Sequence, residues 1–90
     1  MKFINKSDKE VNVKVYAEVQ MTDKYKRAEA TNVQPGATVD LAVVVKDDDD
    51  PDGYLVVVMS QGGNQIAGGP GRVSKDAKLT FTGKWELQVS

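Results

Sequence analysis

Five aspartates lie within six consecutive positions, in the sequence DDDDPD that begins at residue 47. Alternate carboxylates followed by glycine form the first half of the common calcium-binding loop, which has ligands at its first, third and fifth positions and glycine at the sixth. With Gly53 at the glycine position, the ligand positions fall on Asp48, Asp50 and Asp52. Met59 stands where a bidentate glutamate should end such a loop. Asp48, Asp50 and Asp52 are therefore a candidate Ca²⁺ site that a second loop would have to complete.

A hydrated hairpin turn is the alternative for the same acidic loop, residues 47–53. Pro51 fixes its own φ and Gly53 accepts a positive φ, so the pair suits a tight turn without any ion. The loop joins two valine-rich runs, LAVVV and YLVVVM, and its charge would keep such strands from aggregating through their edges. We favour the hydrated turn and keep calcium as the alternative.

A second group of residues with possible chemistry is the basic cluster TDKYKRAE, in which Lys24, Lys26 and Arg27 surround Tyr25. Cations interleaved with an aromatic ring can hold a phosphate and stack on a base or sugar, or they can contact anionic lipid headgroups. A solvated hairpin loop is the simpler interpretation, and Lys24, Tyr25, Lys26 and Arg27 are the candidate partner-binding residues if the cluster has a ligand.

The composition excludes several classes of function. The chain has no cysteine and no histidine, which rules out disulfides, Cys/His zinc sites, and cysteine or histidine catalysis. No serine or carboxylate is marked as activated, so we predict that the protein is not an enzyme and has no certain cofactor. The formal net charge of −1 makes a nucleic-acid partner improbable.

The residues that must position these groups follow a two-residue period. From Val11 to Met21 every odd position is apolar and every even one is polar or aromatic, which is typical of a strand with one buried face. The segment Tyr54–Met59 is apolar throughout, as in a central strand covered on both faces or a strand with an exposed apolar patch. Further alternating or weaker strands are predicted at Thr38–Val45, Leu79–Thr82, Lys84–Val89, Met1–Asn5 and Lys26–Asn32.

Turn residues separate these runs and set the fold class. Pro35-Gly36, Gly62-Gly63-Asn64 and Thr82-Gly83 each suit a tight connection. Short strands with frequent turns and no helical stretch predict an all-β, single antiparallel β-sandwich domain of about seven strands over residues 1–90, immunoglobulin-like or Greek-key, with a small β-barrel as the alternative. The runs INKSDKEVNVKVY and VQPGATVDL resemble the strand pattern of small immunoglobulin-like domains.

The predicted core and function follow from this fold. Trp85 is in phase with Leu87 and Val89, so we expect it in the core with these other residues: Val11, Val13, Val15, Val39, Leu41, Val43, Val56, Leu79, Phe81 and Leu87. We expect a non-catalytic binding module that acts through loops or a sheet edge on another protein or on itself. The alternative is a membrane- or lipid-associating sandwich of the lytic or adhesion type. The N-terminus lacks a signal-peptide core, so a cytoplasmic location is expected unless the chain is a mature secreted form.

Overall fold

Eight short β-strands and one turn of 3₁₀ helix make up the fold in the computed structural model, which describes all residues 1–90. The structure contains no helix with the length and apolar character needed to cross a membrane. The strands are β1 (Lys2–Asn5), β2 (Val11–Tyr16), β3 (Lys26–Val33), β4 (Thr38–Asp40), β5 (Leu55–Ser60), β6 (Gln65–Gly68), β7 (Lys78–Phe81) and β8 (Gln88–Val89), and the 3₁₀ turn is Asp23–Tyr25.

The strands form two four-stranded sheets that pack against each other, which confirms the predicted β-sandwich. One sheet has the order β4-β1-β7-β8 and the other the order β3-β2-β5-β6. Neighbouring strands are antiparallel except for β1 and β7, which are parallel. The first strand of the chain is thus held between β4 and a strand from its last quarter.

The alternation in β2 points one row of valines into the core, as predicted. Val13 lies opposite Val58 and Val15 opposite Val56, and all four side chains are buried. The prediction was wrong beyond residue 17, because Val19 is 75% exposed and Met21 is 42% exposed. The strand ends at Tyr16, since the chain turns away there to form the loop that leads into β3.

Strand β5 occupies a central position between β2 and β6, which accounts for its continuous apolar run. Val56 and Val58 face the core, while Val57 points to the outer face and lies between Lys14 on β2 and Gly68 on β6. Val57 is nevertheless only 4% exposed. Val57 therefore does not form an exposed apolar patch on the outer face of β5.

The prediction that Trp85 lies in the core was wrong, because this residue is 63% exposed. The C-terminal segment crosses to the second sheet, where Trp85 accepts a hydrogen bond from Gly68 N–H at 2.9 Å and Leu87 N–H donates to Gly68 O at 2.9 Å. Leu87 takes the inward position and is buried, so Trp85 is left beyond the edge of the core. Of the other predicted core residues, Val39 and Val43 are half-buried and the rest are buried.

Three loops meet at one end of the sandwich, which we call the acidic end: residues 17–25, 41–54 and 69–77. They leave from the end of β2, the end of β4 and the end of β6, and they lead into β3, β5 and β7. Tyr16 at the end of β2 lies opposite Lys26 and Leu55, at the starts of β3 and β5. This register brings the acidic loop and the basic cluster to the same end of the molecule.

The opposite end is organised by Asn5, a fully buried polar residue. Its Nδ2 donates to the carbonyl oxygens of Lys9 at 2.7 Å and Val33 at 3.0 Å, and its Oδ1 accepts from Ser7 N–H and Oγ. These bonds satisfy the amide and fix the turn that connects β1 to β2.

Candidate functional site

A buried ion pair anchors the acidic loop to β3. Arg27 donates from Nε to both carboxylate oxygens of Asp49, at 3.1 and 3.3 Å, and from Nη2 to Oδ1 at 2.8 Å. Each side chain is only 5% exposed. The guanidinium fork matches the two carboxylate oxygens, which lysine could not do. The basic cluster and the acidic loop are therefore joined internally.

Two further donors complete the surroundings of Asp49. The hydroxyl of Tyr54 donates to Oδ2 at 2.9 Å, and the backbone N–H of Lys46 donates to the same oxygen at 3.0 Å. The hydrogen bonds from Arg27 hold the pKa of Asp49 far below its usual range, although burial opposes them. Burial and the hydrogen bond to Asp49 raise the pKa of Tyr54. Asp49 is thus ionised and acts as the structural centre of the loop.

Arg72 ties the three loops of the acidic end together. Its Nη1 donates to the carbonyl oxygens of Ala17 and Gly53, both at 2.8 Å. Its Nε lies 3.4 Å from Asp50 and its Nη2 lies 3.7 Å from Glu18. One side chain from the loop after β6 therefore fixes the backbone of the other two loops.

The three candidate calcium ligands are not gathered into a metal site. No group of three or more acidic side chains in the structure is arranged to hold a metal ion. Asp50 is engaged by Arg72, and its Oδ1 accepts the backbone N–H of Asp52 at 2.8 Å, as in a tight turn. Asp48 and Asp52 are exposed. The proline–glycine turn is formed as expected, with Gly53 at φ 113°.

The basic cluster is divided by its contacts. Arg27 faces inward and serves Asp49, so its guanidinium is not available at the surface. Lys26 pairs with Glu29 at 2.9 Å, and this hydrogen bond raises the pKa of Lys26. Tyr25 is half-buried against the core, and the Lys24 ammonium lies 5.3 Å from the centre of its ring. Among the four predicted ligand residues, only Lys24 presents an exposed charge without an ion pair.

A cleft of about 450 Å³ opens between the acidic loop and the loop that precedes β7. Its apolar walls come from Val45, Pro51 and Tyr54. The rest of the lining is polar or glycine: Lys46, Asp47, Asp49, Asp50, Asp52, Gly53, Ser74 and Lys75. The two loops that line the cleft are the ones that Asp49 and Arg72 hold in place. The volume falls within the usual range of ligand clefts, roughly 300–1,000 Å³.

The segment between β4 and the acidic loop departs from its predicted structure. Alternation predicts a strand through Val45, but β4 ends at Asp40. Beyond Leu41 the only backbone hydrogen bond up to Val45 runs from Val44 N–H to Arg27 O, at 2.9 Å. Val44 and Val45 are 59% and 56% exposed. The segment crosses from one sheet to the other there, which removes it from its neighbour β1.

Comparison with known proteins adds no assignment. A scan against protein-family models, a search of curated proteins and a search of solved structures found no match to this chain. The functional argument therefore rests on the geometry of the acidic end.

Asp49 and Arg72 are the site residues that sequence reasoning missed. The calcium motif singles out Asp48, Asp50 and Asp52, whereas the aspartate between the first two is the one the fold uses. One signal was present: the chain has ten lysines but only two arginines, Arg27 and Arg72. Arginine is preferred over lysine in buried, multiply hydrogen-bonded ion pairs, and both arginines fasten loops at this end.

Proposed function

We propose that this chain is a non-catalytic binding module whose acidic end engages another protein. The observation that carries the proposal is the position of the exposed apolar side chains. Four of the six large apolar residues on the surface belong to the loops of the acidic end: Val19, Met21, Val44 and Val45. Exposed apolar side chains that share one region of a domain mark a binding site more often than apolar side chains scattered singly over the surface.

The way in which these loops are held supports the same proposal. Arg27 and Asp49 fasten them through buried side chains and Arg72 through a half-buried one, and no buried side-chain polar atom lacks a partner. Loops fixed before binding lose little conformational entropy when a partner arrives, so even a small surface can be used effectively. The immunoglobulin-like resemblance stays a prediction that agrees with a sandwich presenting loops at its ends.

Selection of random displayed peptides tests the proposal without a known partner. Enriched peptides should bind the wild-type chain and lose binding to the double variant Val44→Ser/Val45→Ser. A matched control is Val89→Ser, which changes an exposed valine of β8 that belongs to none of the three loops. The proposal fails if no peptide is enriched over phage without an insert, or if the enriched peptides bind both variants equally.

Association with a lipid surface is the second candidate function. Exposed Val19 and Met21 lie in the same loop as Lys24, whose ammonium makes no ion pair, and such a loop could enter a headgroup layer. Sedimentation with vesicles of phosphatidylcholine and phosphatidylserine at low salt tests it, with Val19→Ser/Met21→Ser as the control. Protein that stays in the supernatant removes this function.

Calcium modulation through Asp48, Asp50 and Asp52 stays a prediction. It would require Asp50 to exchange Arg72 for the ion, because the two are now 3.4 Å apart. The melting temperature in millimolar calcium tests it.

A further inference from the structure

We propose that the segment Leu41–Lys46, which we call the acceptor segment, binds an extended segment of a partner protein by β-strand addition, and that this partner alternates apolar with basic residues. The inference rests on the proposed function and names the partner's chemistry. Strand addition uses main-chain hydrogen bonds for affinity and side-chain pockets for specificity. The acceptor segment offers both free main-chain groups and exposed side chains beside a cleft.

The backbone of the acceptor segment carries unused hydrogen-bonding groups. Neither the amide N–H groups of Ala42, Val43 and Val45 nor the carbonyl oxygens from Ala42 to Val45 have a partner within the chain. The residues themselves are strong strand formers, because valine fits a pleated backbone. The segment therefore has strand-forming side chains and an unpaired edge, which is a template for another strand.

The side chains beside this edge determine what kind of strand it accepts. Val44 and Val45 are more than half exposed, and Val45 lines the cleft. After Lys46, which is exposed, Asp47 and Asp48 are also exposed and take part in no ion pair, so the two carboxylates outweigh the single ammonium there. An added strand would meet apolar surface along the valines and negative charge at the end of the segment. Apolar and basic side chains in alternation match both features.

The same charges disfavour a second copy of this chain as the occupant. In antiparallel pairing of two acceptor segments centred between Val43 and Val45, Asp40 of one copy would lie opposite Asp47, Asp48 or Asp49 of the other. Like charges directly opposite each other destabilise a strand pair. Parallel in-register stacking would place the whole acidic run against itself. The acidic loop thus discourages self-pairing of an edge that accepts a basic strand.

Three short blocked peptides test the proposal with the ¹⁵N-labelled protein. The first alternates valine and lysine, the second alternates valine and glutamate, and the third is the first with its central valines replaced by proline. We expect the valine–lysine peptide to bind at least about tenfold more tightly than the other two, from several opposite-charge contacts and from backbone pairing. Because Val44 N–H already points to Arg27 O, the free side of the segment carries the N–H groups of Val43 and Val45, and amide hydrogen exchange should slow at these two residues in that complex.

A matched pair of variants separates backbone pairing from side-chain contact. Val45→Pro removes an N–H that has no partner in the folded chain, whereas Val45→Thr keeps the N–H and the branched shape. Both should melt close to the wild type. The proline variant should lose peptide affinity at least about tenfold, and the threonine variant no more than about threefold.

The results separate failure of this inference from failure of the proposed function. Equal binding of the glutamate or proline peptide, no binding of the lysine peptide, or slowed exchange elsewhere overturns strand addition, even if displayed peptides still select the acidic end. If displayed peptides select another surface, the proposed function fails and this inference fails with it. Should Val45→Pro lower the melting temperature strongly, the three peptides on the wild-type chain still decide the matter.

Discussion

Replacing Asp49 with asparagine should cost more stability than the same replacement at any other aspartate of the acidic loop. The carboxylate accepts from Arg27, from the hydroxyl of Tyr54 and from the N–H of Lys46, and it is almost fully buried. Asparagine leaves the Arg27 cation buried without a counter-charge and offers one acceptor oxygen in place of two. Removing one partner of a buried ion pair costs about 3–5 kcal/mol.

That cost is large for this domain. A chain of 90 residues is expected to have a free energy of unfolding of roughly 5–13 kcal/mol, at 0.05–0.15 kcal/mol per residue. Asp47→Asn is the control, because Asp47 is exposed and makes no ion pair, and it should change stability by less than about 0.5 kcal/mol. Urea unfolding followed by circular dichroism at pH 7 measures the free energy of unfolding of both variants. The dependence of that free energy on urea concentration should be similar in the two.

The pH dependence gives an independent check on the same residue. The folded-state pKa of Asp49 is lowered, mainly by the Arg27 hydrogen bonds. Its contribution is therefore fully present above the unfolded pKa of about 3.9 and is lost as the pH falls toward the folded value. The stability difference between the wild type and Asp49→Asn should shrink below about pH 4.

Replacing both partners should be milder than replacing one. Arg27→Met/Asp49→Leu removes both charges and fills the space with apolar side chains, so it should be more stable than Asp49→Asn alone. The reasoning is refuted if the free energies of unfolding of Asp49→Asn and Asp47→Asn differ by less than about 1 kcal/mol. It is also refuted if the stability difference between Asp49→Asn and the wild type is independent of pH.

Three further changes test other parts of the structure. Gly53→Ala should lower the free energy of unfolding in urea by on the order of 3 kcal/mol, because its Cβ would clash with the carbonyl oxygen of Val73 and its φ is 113°. Gly36→Ala, with open space around it, should lower it by only about 1 kcal/mol. Trp85 should show the emission maximum of water-exposed tryptophan, and a blue-shifted spectrum would contradict its placement. Millimolar calcium should leave the melting temperature unchanged, and a rise that Asp48→Asn/Asp50→Asn abolishes would restore the metal site.

The strands could be predicted wherever the pattern is local. The alternation from Val11 to Val15 identified both the strand and its buried face, because the two-residue period of a strand depends only on the chain itself. The same period misplaced Val19, Val45 and Trp85. Where a strand stops depends on whether a neighbouring strand continues beside it, and no single segment contains that information.

The candidate site was predictable in location but not in detail. The acidic loop does form a proline–glycine turn between valine-rich segments, as its residue types indicated. Its central contact joins Arg27 to Asp49, which are 22 positions apart, and any of five neighbouring aspartates could have served. Only the register between β2, β3 and β5 decides which carboxylate reaches the guanidinium.

The parallel pairing of β1 with β7 has a consequence for the order in which the protein can fold. Residue 2 pairs with residue 78, whereas every strand of the β3-β2-β5-β6 sheet is present once residue 68 has been made. During synthesis that sheet can assemble first, while the opposite sheet still lacks β7 and β8 and can contain only β1 and β4. Closing the loop between β1 and β7 is slow, so pulse-labelled hydrogen exchange should protect β2 and β5 before β7. A nascent chain of this protein would therefore pass through a stage in which one sheet is complete and the other lacks β7 and β8, so that part of the core is open to water.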